Sequence, residues 1–243
     1  MSRLLLISNS TSHGRGYLDH VEAEIRDLVG DRVRVVFFPY ALHDRMAYAV
    51  RAEARLRKLG LECTSAHDVS NASLAIEQAQ VLFIGGGNTF RLLHELQRNQ
   101  LIEPIRRAVR AGVLYIGSSA GSIVACPTLK TTKDMPIVEP ESFEALGLVP
   151  FQISPHYLDP DPRSTHMGET QQERILQFLE ENDHPVIGLR EGSFLRVEDH
   201  AITLKGPHQA RIFRSGAPPI EVPSGADLQE LLAHKASSTG LLP

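Results

Sequence analysis

The chain has 243 residues, of which 42% are hydrophobic and 22% are charged, and its formal net charge at pH 7 is −4. This apolar fraction is typical of a packed domain and excludes a disordered chain. The mildly acidic balance argues against a nucleic-acid partner, because binding to phosphates needs clustered positive charge.

Membrane and export signals are the next classes to consider. No apolar run approaches the roughly 18 residues of a membrane span, and the run at residues 3–8 is too short for a signal peptide. The two cysteines, Cys63 and Cys126, are far apart and form no CxxC motif, so neither a disulfide framework nor a zinc knuckle is predicted. We expect a soluble, cytoplasmic protein in which residues 1–243 form a single domain, with a frayed tail at about 236–243.

Short apolar runs alternate with amphipathic stretches through the first half of the chain. Buried strands are predicted at residues 3–8, 33–38, 61–64, 81–84 and 113–116. Helical periodicity is found at 18–28, 46–59, 74–79 and 90–111, and Pro104 should divide the last stretch into two helices. In the second of these helices, the apolar stripe consists of Met46, Val50, Ala54 and Leu56. The alternation predicts an α/β fold with a mostly parallel sheet and helices on both faces.

After residue 125 the pattern loosens. Residues 126–145 hold three prolines and show no clear period, so they predict a long loop of the kind that is often functional. A strand at 151–154, a loop at 157–168 and a helix at 170–182 follow. The runs at 186–189, 194–197, 201–204 and 210–213 predict a strand and a small antiparallel meander.

The sequence GSSAG at residues 117–121 directly follows the predicted strand 113–116. In this G-x-S-x-G pattern, a sharp strand-to-helix turn holds the central serine in an exposed position at the start of a helix. A turn of small residues for close packing has the same appearance. As a functional motif, it makes Ser119 the candidate nucleophile.

A second glycine-rich segment, GGGNTF at residues 85–90, follows the predicted strand 81–84. It lacks both the dinucleotide spacing G-x-G-x-x-G and the lysine of a P-loop. Its bare amides should lie at the carboxyl end of a strand, where α/β sheets bind ligands. The amides of Gly87 and Ala120 could converge there as an oxyanion hole. Asn88 and Thr89 are candidate substrate-binding residues, although Asn88 also suits a helix N-cap.

His156 follows the predicted strand 151–154, so it should lie at the same edge as Ser119 and could accept the serine proton. Two carboxylates are candidates for orienting its imidazole. Glu191 follows the predicted strand 186–189, whereas Asp134 lies in the long loop. The sequence does not rank the two.

A metal site is a weaker alternative. His156, Asp159, Asp161 and His166 crowd one segment and are metal ligands by residue type. The Asp-Pro-Asp-Pro run is also typical of a solvated turn, and no HExxH or comparable spacing is present. We expect no metal.

Six motifs occur together in order: GGGNTF at 85–90, GSSAG at 117–121, TKDMPIV at 132–138, PH at 155–156, HMGET at 166–170 and GLREG at 188–192. This set resembles the α-aspartyl dipeptidase (peptidase E) family of serine peptidases over nearly the whole chain. The resemblance implies a flavodoxin-like fold akin to class I glutamine amidotransferases, and cytoplasmic hydrolysis of dipeptides with an N-terminal aspartate. It further implies a homodimer with no metal or other cofactor. Ser119 would be the nucleophile, His156 the base, Glu191 or Asp134 the third member, and Gly87 and Ala120 the oxyanion amides.

The chain departs from the family pattern at several positions. Ser118 stands where tryptophan is frequent, Arg190 replaces an expected proline, and Gln171 falls where related enzymes tend to carry a base. A pocket for an aspartyl side chain needs a cation, best a bidentate guanidinium. Arg174 is the first candidate, followed by Arg163 and Arg190.

Two other functions fit parts of the pattern. An α/β-hydrolase esterase also uses G-x-S-x-G, but only 32 positions separate Gly87 from Ser119, and its histidine should lie near the C-terminus. A small-ligand binding module on the same fold would leave Ser119 inert. The leading prediction is a serine dipeptidase that acts on a small peptide, with no nucleic-acid or membrane partner.

Overall fold

The computed structural model describes residues 2–165, 167–199 and 201–231. Its strands are β1 (Arg3–Ile7), β2 (Arg34–Phe38), β3 (Glu62–Ser65), β4 (Val81–Ile84), β5 (Leu114–Ser118), β6 (Gln152–Pro155), β7 (Val186–Leu189), β8 (Phe194–Glu198), β9 (Ala201–Lys205), β10 (Ala210–Arg214) and β11 (Ala217–Val222). Its α-helices are α1 (Glu22–Val29), α2 (Arg45–Lys58), α3 (Ala72–Gln78), α4 (Thr89–Arg98), α5 (Ile102–Arg110), α6 (Ala120–Val124) and α7 (Gln171–Glu181). The predicted frayed tail at 236–243 lies outside the described residues.

The strands form two sheets. The main sheet has the order β3-β2-β4-β5-β1-β8-β9, and its first five strands are parallel to one another. The second sheet has the order β11-β10-β7-β6, in which β6 and β7 are parallel while β10 and β11 run antiparallel. The predicted α/β class with a mostly parallel sheet is therefore confirmed.

The predicted C-terminal meander is divided between the two sheets. β8 and β9 form an antiparallel hairpin that extends the main sheet beyond β1. β10 instead pairs with β7, and β11 adds a further edge strand. The sequence did not predict β11, because its run APPIEV is largely exposed and contains two prolines, which are tolerated at a sheet edge.

Helices cover both faces of the main sheet. Leu5 and Ile7 of β1 pack in one core cluster with α1 and α2, whereas Leu4 and Leu6 pack in the other with α4, α5, α6 and the second sheet. This split follows from the alternation of side chains along a strand. None of the described helices is long and apolar enough to cross a bilayer.

Two helix predictions need correction. On α2, Leu56 of the predicted stripe is buried, but Met46, Val50 and Ala54 are exposed. Tyr48 and Ala52 face the core in their place. The break between α4 and α5 falls at 99–101 instead of at Pro104. Pro104 lies in the first turn of α5, where its missing N–H removes no helical hydrogen bond.

Candidate active site

The ends of strands from both sheets meet at one place. β4, β5 and β1 are adjacent and parallel, so the residues that follow them lie at the same edge. Ser8, which follows β1 and is fully buried, ties this edge to the second sheet. Its hydroxyl donates to the Leu189 carbonyl oxygen at 2.8 Å and accepts from the His156 amide at 2.9 Å. Ser8 was not predicted as a site residue, because nothing in the local sequence shows that β1 ends beside β6 and β7.

Ser119 occupies a strained turn between β5 and α6. Its φ is 52° and its ψ is −110°, a combination that non-glycine residues rarely adopt. The Ser119 amide donates to the Ile7 carbonyl oxygen at 2.9 Å, which anchors the turn to β1. A Cβ at Gly117 would lie 2.5 Å from the Gly121 carbonyl oxygen, so only glycine fits there. This is the turn that the G-x-S-x-G pattern predicts.

Gly121→Ala should destabilise the fold by about 3 kcal/mol or more, the upper end for an overpacked site. The added Cβ would lie 2.1 Å from the Ile84 carbonyl oxygen, a backbone atom of β4 that cannot move aside alone. Urea unfolding measures the effect. Gly147→Ala is the control, because its Cβ would meet no atom within 4 Å. It should cost only about 1–2 kcal/mol for its left-handed φ, and equal losses in both variants would contradict the steric argument.

A chain of hydrogen bonds starts from Ser119. Its Oγ lies 2.9 Å from His156 Nε2, and His156 Nδ1 lies 2.6 Å from Glu191 Oε1. The Glu191 carboxylate accepts a hydrogen bond from Nδ1–H, so the proton stays on Nδ1 and the Nε2 lone pair faces the serine hydroxyl. The His156 side chain is 39% exposed, so a substrate can reach the group from solvent.

Asp134, the other candidate carboxylate, belongs to the long loop, and its side chain contacts the first residue of α4. Its Oδ2 accepts hydrogen bonds from the Thr89 amide at 2.7 Å, the Thr89 hydroxyl at 2.6 Å and the Thr132 hydroxyl at 3.0 Å. Asn88 caps the same helix by accepting from the Arg91 amide at 2.9 Å. The side chains of Asn88 and Thr89 are thus engaged in holding the long loop against α4.

The amides predicted to form an oxyanion hole belong to Ala120, which follows the serine, and to Gly87 of the glycine segment. Tyr48, which was not predicted as a site residue, accepts a hydrogen bond from the Gly86 amide at 2.9 Å. A Cβ at Gly86 would lie 3.1 Å from Ser119 Cβ, so the glycine segment passes directly beside the nucleophile. Within the described part of the chain, the amides of Gly87 and Ala120 have no protein acceptor.

Arg190 has no donor left for a substrate. Its Nε and Nη2 donate to Asp159 at 2.9 and 2.8 Å, Nη1 and Nη2 donate to Glu221 at 3.0 Å, and Nη1 donates to the Gln209 carbonyl oxygen at 2.7 Å. These bonds use all five N–H groups of the guanidinium. They also lower the pKa of the Asp159 carboxyl. The structure therefore excludes the expected role of Arg190 in binding substrate.

The other two arginines differ in position. The Arg163 side chain is 90% exposed and lies 3.5 Å from Asp161 in its own loop, and within the described residues it makes no hydrogen bond to Ser119 or His156. Arg174 lies on α7 and lines a cavity of about 70 Å³ beside β6. We call this the cationic cavity, because its lining includes Lys130, Lys133 and Arg174 and, among the described residues, no carboxylate.

Lys133 was not identified from the sequence as a site residue. Its Nζ donates to the carbonyl oxygens of Pro155 at 2.9 Å and His156 at 3.2 Å. Gln171 Nε2 donates to the same His156 oxygen at 3.2 Å. The backbone of the histidine is therefore held from the long loop and from α7 together.

A larger cavity of about 380 Å³ is lined by Glu191 and Arg15. The cationic cavity is instead connected to the backbone of His156, through the hydrogen bonds of Lys133 and Gln171 to its carbonyl oxygen.

The residues of the metal alternative are engaged elsewhere or fall outside the description. Asp159 is paired with Arg190, and His156 is bonded to Ser119 and Glu191. His166 lies outside the described residues. Among the residues that are described, no group of three or more His, Cys, Asp or Glu side chains is placed to hold a metal ion.

A serine in a strained strand-to-helix turn, bonded through a histidine to a carboxylate, is the arrangement of the serine hydrolases. The model of peptidase family S51 matches residues 4–205. The chain belongs to this family, which confirms the resemblance found in the sequence and favours a peptidase over an esterase or a binding module.

Relatives of known name agree with this assignment. "Peptidase E" of Streptomyces coelicolor is 53% identical over 229 residues, which are 94% of each chain. "Probable alpha-aspartyl dipeptidase" of Drosophila melanogaster is 43% identical over 232 residues, covering 94% of this chain and 97% of the other. The crystal structure of a peptidase from an acI-B1 actinobacterium matches this chain with a TM-score of 0.70 at 15% identity. The match covers 94% of this chain and 96% of the other, so the two proteins share the fold.

Proposed function

We propose that this serine dipeptidase cleaves dipeptides with an N-terminal aspartate, using Ser119 as nucleophile, His156 as general base and Glu191 as the orienting carboxylate. The observation that carries the assignment is the unbroken chain from Ser119 Oγ through His156 to Glu191, with bonds of 2.9 and 2.6 Å. The names of the relatives from Streptomyces and Drosophila support the substrate class.

The reaction follows from the positions of these groups. Ser119 Oγ attacks the scissile carbonyl carbon while His156 Nε2 takes up the hydroxyl proton. The oxyanion that forms accepts hydrogen bonds from the amides of Gly87 and Ala120. His156 then gives its proton to the leaving amine, and a water molecule, activated in the same way, releases the aspartate from the serine ester. Glu191 holds the imidazole and stabilises its positive charge between the two proton transfers.

Asp134 has a different role in this proposal. Its carboxylate is bonded to Thr89 and Thr132 rather than to His156, so it holds the long loop against the helix that follows the glycine segment. Asn88 and Thr89 then act on the substrate site by positioning the glycine segment, since Asn88 caps α4 and the Thr89 amide and hydroxyl are bonded to Asp134. Of the predicted arginines, Arg174 supplies charge to the substrate site, whereas the outward position of Arg163 offers no support for such a role.

The family resemblance also leads us to propose a cytoplasmic homodimer. Met135 and Ile137 of the long loop and nearby Phe143 are apolar side chains with 74%, 50% and 47% exposure. Exposed apolar side chains of this kind suit a contact between subunits. Light scattering should give twice the mass of the chain, and a monomer at all concentrations would exclude the dimer.

A panel of four dipeptides, Asp-Leu, Glu-Leu, Asn-Leu and Ala-Leu, tests the proposed function. We expect kcat/KM for Asp-Leu to exceed that for Asn-Leu by about 10²-fold, the effect of one desolvated charge pair. Equal rates for all four would remove the aspartyl specificity and leave a serine dipeptidase. Hydrolysis of a short ester without cleavage of any dipeptide would favour an esterase. No turnover, with no labelling of Ser119 by a fluorophosphonate, would favour a binding module.

A further inference from the structure

We propose that Lys133 is the cation that binds the side-chain carboxylate of the substrate's N-terminal aspartate. This inference rests on the proposed dipeptidase function and assigns its specificity to a residue of the long loop. Three properties of Lys133 support it: its position, its free donor and the charge of its surroundings.

The position of Lys133 relates it directly to the reacting groups. Its ammonium contacts the His156 carbonyl oxygen at 3.2 Å, and the imidazole of the same residue is bonded to Ser119. Because the ammonium contacts the backbone of the general base itself, it is close enough to contact the acyl part of a small substrate. Gln171, which stands where related enzymes tend to carry a base, is bonded to the same carbonyl oxygen. Its amide is neutral, so of the two side chains that donate to this oxygen only Lys133 carries a charge.

The ammonium of Lys133 keeps a donor for a ligand. An ammonium has three N–H groups, and the carbonyl oxygens of Pro155 and His156 accept two of them. Within the described residues, no carboxylate lies within ion-pair distance of Lys133. Arg174, by contrast, has Glu169 at 3.6 Å, and the guanidinium of Arg190 is fully used.

The cationic cavity has the size and charge for one acidic group. At about 70 Å³ it holds the equivalent of two water molecules or a carboxylate, and it is too small for a whole dipeptide. Since three cations and no described carboxylate line it, an acidic side chain is the favourable occupant. An asparagine side chain of the same shape gains much less from these charges.

The charge of Lys133 depends on pH in an accessible range. Burial of the ammonium disfavours its charged form and lowers the pKa of Lys133 to about 8, with Arg174 acting in the same direction and Asp134 and Glu191 opposing it. The other charged or titratable residues that face Lys133 are Lys130, which lines the same cavity, and His156, which contacts it through its carbonyl oxygen. The cation is present below this pKa and is lost above it, so the preference for aspartate should be lost as the pH rises through about 8.

The test is the ratio of kcat/KM for Asp-Leu to that for Asn-Leu. In this ratio, effects of pH that are common to both peptides cancel. In Lys133→Met, kcat/KM for Asp-Leu should fall by about 10²-fold, while that for Asn-Leu changes by less than about threefold. In Lys133→Arg, the preference should persist and stay constant from pH 7 to 9, because a guanidinium does not titrate there. The wild-type ratio should fall by about tenfold over the same interval.

Several outcomes would overturn the assignment. Equal losses on both peptides in Lys133→Met would show that the lysine only supports the backbone at 155–156. An unchanged ratio, or a loss of aspartate preference in Arg15→Met instead, would place the carboxylate elsewhere. Lys58→Met, on the exposed last turn of α2, controls for the loss of one positive charge.

A failure of the proposed dipeptidase function has a separate signature. In that case wild-type protein cleaves neither peptide, and calorimetric binding to Ser119→Ala decides the role of Lys133. Tighter binding of Asp-Leu than of Asn-Leu, abolished in the double variant with Lys133→Met, would support the lysine site. Equal binding of both peptides would overturn it.

Discussion

Ser119→Ala is expected to lower kcat for Asp-Leu by roughly 10⁴- to 10⁶-fold without unfolding the chain. The change removes the nucleophile and leaves every other group of the site in place. In the structure, the hydroxyl is bonded to His156 and to no other described side chain, so the fold loses little. Steady-state kinetics measures the loss, and circular dichroism with thermal unfolding shows that the variant remains folded.

Ser118→Ala is the matched control for this prediction. Ser118 is the neighbouring serine of the same motif, is fully buried, and its hydroxyl has no partner within the described structure. Its removal should change kcat by less than about threefold and should not destabilise the protein, since no hydrogen bond is broken. A fluorophosphonate should label Ser118→Ala and not Ser119→Ala. Turnover by Ser119→Ala within tenfold of the wild type would refute the proposed mechanism.

Glu191→Gln is expected to lower kcat by roughly 10³- to 10⁴-fold, with a smaller change in KM. The side-chain amide of glutamine can donate to His156 Nδ1, which places the imidazole proton on Nε2. In that tautomer, Nε2 cannot accept the proton of Ser119. The pre-steady-state rate of acylation with a chromogenic ester of aspartate measures this step directly.

Asp134→Asn separates the two carboxylates that the sequence left unranked. Its carboxylate accepts bonds from Thr89 and Thr132, so its loss should lower the free energy of unfolding by about 1 kcal/mol, as for a helix cap. Its kcat should stay within about tenfold of the wild type. The reverse pattern, in which Asp134→Asn abolishes turnover and Glu191→Gln does not, would make Asp134 the third member.

Local pattern in the sequence was sufficient for much of the fold. β4 and β7 have the predicted bounds, because each is a short apolar run, limited by Gln80 and Gly85 in β4 and by Pro185 and Arg190 in β7. The turn at Ser119 was also predicted from local sequence, since the two glycines that permit it, Gly117 and Gly121, each lie two residues from Ser119. The fold class followed from the alternation of strands and helices.

Contacts between distant segments were beyond such reasoning. β10 is as apolar as β9, so nothing in its composition shows that it joins the second sheet while β9 pairs with β8 in the main sheet. Arg190 has the residue type of a substrate-binding cation, and only its five bonds exclude that role. Nothing in the sequence around Ser8, or in the motif that contains Lys133, indicates their contacts, yet both residues bond to the backbone at His156.

The sequence by itself determined the α/β class, the family, and the candidates Ser119 and His156, because hydrophobic period and motif spacing are properties of neighbouring residues. The tertiary structure decided that Glu191 rather than Asp134 reaches His156, and that Lys133 lies beside it. The physical reason is that strand order and loop packing set these distances. Residues 37 and 35 positions apart become hydrogen-bonded only once both sheets have assembled.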